Sequence, residues 1–116
     1  MMPSMIGFEF GEIVLVRFPF TDQRGSKQRP AVVVSSSAYN RTKPDVILMA
    51  VTSRIRQELA FGEAVIDGWK TAKLLKPSAI TPVVFTIEQQ LVARTLGSLM
   101  QEDQAKLRET ISKIVG

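Results

Sequence analysis

Three short runs of β-branched and aliphatic residues constrain this chain most: "EIVLVRF" (12–18), "RPAVVVSS" (29–36) and "VILMAVTS" (46–53). Each reads as a strand, the second mostly buried and the third buried. Polar segments join them. "TDQRGSKQ" (21–28), which contains a glycine, and "SAYNRTKPD" (37–45) read as loops. Pro30 has no N–H to give to a ladder, which places it at a strand start or on an edge.

Shorter strand candidates follow around 63–66, 72–76, 83–86 and 91–96, punctuated by Asp67-Gly68 and Lys76-Pro77. The tail from Gln101 to Val115 is the clear helix, with Leu107, Ile111 and Ile114 recurring at helical spacing. Glu102 and Asp103 fall in its first turn and Lys113 near its end, as the helix dipole prefers. Many short strands and one closing helix predict a mainly β fold with a C-terminal helix. The expected form is a small antiparallel barrel or strongly curled sheet, a single domain over residues 1–116.

Composition narrows the chemistry. With 45% hydrophobic residues in 116, the chain can build its own core. It contains no cysteine and no histidine, so disulfides, thiol catalysis and the usual proton carrier near neutral pH are excluded. No clustered carboxylate motif suggests a metal site, and none is expected. The opening "MMPSMIGFEFGE" lacks the features of a secretory signal, and the apolar runs are too short to span a bilayer. A cytoplasmic protein with no membrane association is expected.

The net charge of +4 is unevenly spread. Residues 24–56 carry seven cations (Arg24, Lys27, Arg29, Arg41, Lys43, Arg54 and Arg56) against the single acid Asp45, a local +6 that leaves −2 for the rest. A basic segment on a small domain points to a polyanionic partner. Antiparallel pairing of the second and third strands would set Arg29, at the start of one, beside Thr52 and Ser53, at the end of the other. A guanidinium and hydroxyls converging at a basic rim form a phosphate site.

The stretches "GEIVLVRFPFTD", "GSKQRPAVVVSSSAYN" and "DVILMAVTS", with "LLKPSAI" and "FTIEQQLVARTLGSLMQED" further on, resemble the MazF/PemK family of toxin endoribonucleases. The likeness covers roughly residues 11–104. It implies an SH3-like barrel with a C-terminal helix, usually a homodimer. It also implies metal-independent cleavage of single-stranded RNA, without a cofactor, by a protein that a cognate antitoxin holds inactive. Carried over by position, Arg29 matches the arginine before proline and Thr52 the strand-end threonine, both at the scissile phosphate. Lys76 resembles a basic residue after the Leu-Leu pair, and Tyr39-Asn40 a pair that organises its loop. The family's acidic residue before Arg-Pro is replaced here by Lys27, in "GSKQ".

Such cleavage uses the substrate's own 2′-hydroxyl and leaves a 2′,3′-cyclic phosphate. Arg29 fits as a two-pronged electrostatic clamp. Thr52, backed by Ser53, can donate to a nonbridging oxygen. Asp22 is the nearest carboxylate to take the proton, with turn formation as its other reading. Lys27, Arg54, Arg56 and Lys76 are the further RNA-binding candidates. Phe18, Phe20 and Trp69 read as packing residues or, at the rim, as base-stacking or partner surface. Two other functions fit the same fold: a barrel that binds RNA without cutting it, and a gyrase-poisoning toxin.

Overall fold

The computed structural model describes residues 7–17 and 27–116; Phe18, Phe20, Asp22 and Arg24 lie outside the described residues. Six strands form one antiparallel sheet: β1 (Glu12–Arg17), β2 (Gln28–Val33), β3 (Asp45–Thr52), β4 (Ala64–Ile66), β5 (Ser78–Glu88) and β6 (Val92–Ser98). Their order across the sheet is β4-β5-β3-β2-β1-β6, so the last strand pairs with the first. The sheet curls into a half-barrel, and helix α2 (Gln101–Val115) follows β6. Among the described residues no helix is long and apolar enough to cross a membrane.

The core lies on both faces of the sheet, because side chains alternate along each strand. Ile13, Val32, Met49, Val51, Ile66 and Ile80 make one cluster with Leu107 of α2, and Ile111 and Ile114 pack against it. The helical stripe thus seats on the sheet as its spacing predicts. Full burial of a side chain such as Leu107 contributes about 1.5–3 kcal/mol. Val14, Val16, Ala31, Val33, Val46 and Leu48 form the second cluster, joined by Phe8, Phe85, Ile87 and Val92. Trp69 is half-buried against the first cluster, with the Lys70 ammonium 5.4 Å from its ring centre.

Three segments differ from the sequence reading. Residues 37–42, read as loop, form a short helix, α1 (Ser37–Thr42). Ser36 caps it by accepting a hydrogen bond from Tyr39 N–H at 3.1 Å. Asn40, nearly fully buried, donates to the carbonyls of Phe8 (2.8 Å) and Ser35 (3.2 Å) and ties the segment to the chain before β1. Residues 72–76, read as a strand, form a turn in which Lys73 adopts φ 68°, a left-handed conformation that no strand accommodates. The candidate at 83–86 belongs to the eleven-residue β5, whose register shifts between Met49 and Val51 of β3. There Thr81 Oγ1 donates to the Ala50 carbonyl at 3.0 Å, bridging the irregular stretch.

The turn after β4 is held by a buried acid of α2. Asp103, 1% exposed, accepts from the N–H groups of Asp67 (3.2 Å) and Gly68 (2.8 Å), with Lys106 Nζ 3.5 Å away. This fixes one end of the 67–77 segment. The other end passes over β6 at Gly97, where a Cβ would lie 2.7 Å from the Ala72 carbonyl oxygen. Only glycine permits that approach, and it sets the loop that carries Lys73 to Lys76.

Candidate functional site

The proline in "RPAV" shapes the site. Pro30 is paired with Leu15 of β1, but the ladder between β2 and β3 begins one residue later, at Ala31 opposite Ala50. Position 30 has no N–H, so β2 has no backbone donor there. Beyond that point the described ladder stops, and a cleft of about 1150 Å³ opens along the rim. Extending the register from Ala31–Ala50 sets Arg29 opposite Thr52.

Both residues line the cleft. Thr52 Oγ1 accepts a hydrogen bond from Arg54 N–H at 3.1 Å, which fixes the turn after β3 and leaves the hydroxyl proton to donate. Arg29 is exposed, so its guanidinium is open to a ligand. Six cations are among the cleft's described lining residues: Arg29, Arg54, Arg56, Lys73, Lys76 and Arg94. Glu63 is the one carboxylate among its described lining residues. The site is therefore strongly cationic and suited to anions held at several points. Between the charges it is apolar, with Leu74, Leu75 and Leu96 in its walls and Leu75 93% exposed.

Of the residues expected from sequence, the cleft brings together Arg29, Thr52, Ser53, Arg54, Arg56 and Lys76. Lys27 is exposed one residue before β2 and is not among the lining residues. Asp22 lies outside the described residues. Sequence reasoning missed Lys73, Arg94 and Glu63. The left-handed turn aims Lys73, β6 supplies Arg94, and Glu63 stands just before β4. Only Lys73 had a local signal, its place beside the Leu-Leu pair in "KLLK".

Among the described residues no group of three or more carboxylates could hold a metal ion. Away from the cleft, burial pushes the Glu12 carboxyl upward, partly offset by the hydrogen bond from Glu9 N–H at 3.0 Å, while the Glu9 charge adds to the rise.

Residues 9–115 match the model of the family described as PemK-like, MazF-like toxin of type II toxin-antitoxin system. No curated protein sequence matches the chain. Several solved structures share its fold. An endoribonuclease in complex with its cognate antitoxin from Mycobacterial species is 15% identical, with 94% of this chain and 95% of that one covered at a TM-score of 0.75. The Mycobacterium tuberculosis toxin MazF-mt6 is 19% identical over 89% of this chain and 94% of its own, with a TM-score of 0.71. MazF in a MazE-MazF structure from Deinococcus radiodurans is 18% identical over 95% and 96%, with a TM-score of 0.73. The half-barrel, its closing helix and the family match over nearly the whole domain agree: the chain belongs to the PemK-like, MazF-like toxins of type II toxin-antitoxin systems.

Proposed function

We propose that this toxin is a metal-independent endoribonuclease that cleaves single-stranded messenger RNA in the cytoplasm by attack of the substrate's own 2′-hydroxyl. The observation that carries the proposal is that Arg29 and Thr52 line one cleft whose described lining residues include six cations and one carboxylate. RNA offers such a cleft a phosphate at every nucleotide. Relatives of the same fold are named as endoribonucleases, which supports the same reading.

Arg29 grips two nonbridging oxygens of the scissile phosphate, and the Thr52 hydroxyl, oriented by Arg54 N–H, donates to one of them. As negative charge builds on those oxygens in the transition state, these fixed donors stabilise it more than they stabilise the ground state. Ser53, Arg54, Arg56 and Lys76 hold the flanking phosphates, with Lys27 outside the cleft mouth as a further electrostatic contact. Removal of the 2′-hydroxyl proton falls to a carboxylate, for which Asp22 is the residue the sequence points to. Relatives occur with an antitoxin bound. An acidic antitoxin segment would compete with RNA for the same cleft, which Leu75 and its neighbours make receptive to apolar side chains as well.

The test is purified protein incubated with single-stranded RNA in excess chelator. The expected products are fragments ending in 2′,3′-cyclic phosphate and 5′-hydroxyl. Binding without cleavage would instead support an RNA-binding barrel, and indifference to RNA would reopen the gyrase-directed reading.

A further inference from the structure

The cleft holds one chemically uncommitted group besides the Arg29–Thr52 pair. Glu63 is partly buried at the entry to β4. Its Oε1 accepts a hydrogen bond from Ala60 N–H at 2.8 Å, while Glu63 N–H donates to the Ala60 carbonyl at 3.1 Å. These two bonds close a tight turn and fix the carboxylate in place. Among the described residues its other oxygen accepts no hydrogen bond, and no cation lies within ion-pairing distance. In a chain without histidine or cysteine, a positioned carboxylate with a free oxygen is the natural proton carrier.

The sheet aims it at the pair. Ala79 of β5 is registered with Thr52 of β3 on one side and with Val65 of β4 on the other. Those three residues share a face, and Glu63, two residues before Val65, continues it. Two strand spacings, roughly 10 Å, separate β4 from β3 and Thr52, and three, roughly 14 Å, separate it from β2 and Arg29, a gap for a nucleotide and the long side chains on either side to span.

We propose that Glu63 is the proton acceptor of the cleavage reaction, an assignment that rests on the ribonuclease reading above. The free Glu63 oxygen takes the 2′-hydroxyl proton as O2′ bonds to phosphorus. The bond from phosphorus to O5′ breaks, and the departing O5′ takes a proton from water. Glu63 then returns its proton to solvent, so no other reactant is consumed. The charged groups sharing the cleft are Arg29 from β2, Arg54 and Arg56 after β3, Lys73 and Lys76 before β5, and Arg94 from β6.

A turn cap alone would also explain the Ala60 bond, and Glu63→Gln separates the two roles. Glutamine keeps an oxygen for Ala60 N–H but cannot take the proton. With single-stranded RNA in excess chelator, Glu63→Gln should lose roughly 10²–10⁴-fold in kcat. Its KM and melting temperature should stay near the wild-type values. The acid limb of the wild-type kcat/KM profile, where rate rises as the carboxylate ionises, should vanish. Glu63→Asp, measured alongside, should keep that limb at a reduced rate. If Glu63→Gln retains wild-type kcat and the limb while Asp22→Asn loses both, the proton belongs to Asp22 and the proposal is overturned. If the wild-type protein does not cleave RNA at all, the ribonuclease reading falls, and the role of Glu63 with it.

Discussion

Arg29 carries the most specific expectation at the level of single side chains. It is exposed, one residue from Pro30, and its own contribution to folding is small. Arg29→Ala should therefore melt within about 0.5 kcal/mol of wild type. Its kcat should fall roughly 10²–10³-fold, the scale of losing one preorganised donor to transition-state charge. Arg29→Lys should recover little, because a lysine offers a point charge where the arginine offers two parallel donors. Steady-state cleavage of a short RNA beside thermal melting measures both quantities. Full activity in a folded Arg29→Ala protein would remove this residue from the mechanism. Arg29 and Thr52 were legible in the sequence because each marks the end of a strongly apolar strand, so placing both at one cleft needed only the assumption of antiparallel pairing. Glu63 and Arg94 were not, since nothing local says that β4 and β6 turn these side chains to the same cleft.

Element by element, legibility followed the strength of the hydrophobic period. The first three strands and the final helix stand in the fold nearly as read, because each buries a continuous apolar face. Helix α1 was hidden because it has six residues and depends on Ser36 and buried Asn40 rather than on an apolar stripe. The turn at 72–76 was hidden because "AKLLK" looks like a strand until Lys73 takes its left-handed conformation. That turn can be probed through Gly97 on β6. A methyl group there would meet the Ala72 carbonyl at 2.7 Å and the Lys73 side chain at 2.6 Å. Gly97→Ala should cost about 1–3 kcal/mol, as overpacking does. It should also weaken RNA binding by pushing Lys73 and Lys76 off the cleft. Melting curves with fluorescence titration of a short RNA would show it; an unchanged affinity would mean that the loop does not position those lysines.

At the scale of the whole molecule, several large apolar side chains are exposed among the described residues. Phe61 is 75% exposed, Val83 54% and Val115 75%. Gly62 approaches both Pro82 and Ile114, which places the three segments side by side. A second copy would cover such a patch, and the family resemblance implies the same assembly. We expect a homodimer at micromolar concentration by sedimentation, reverting toward monomer in Phe61→Asp. RNA affinity should fall steeply with salt, since each phosphate contact releases counterions. A wild-type protein that sediments as a monomer yet cleaves RNA normally would exclude a channel shared between two copies.

The seating of β6 against β1 also sets a schedule. The first strand pairs with β2 but gains its second neighbour only when β6 is made, and the helix that roofs one core comes after that. Pairings this distant in sequence form late. While the chain is still being synthesised, the cations of the cleft are present as residues but not as a surface, because Arg94 and the strand that holds it have yet to arrive. On the ribonuclease reading proposed above, the toxin would thus leave the template of its own synthesis untouched until β6 was in place.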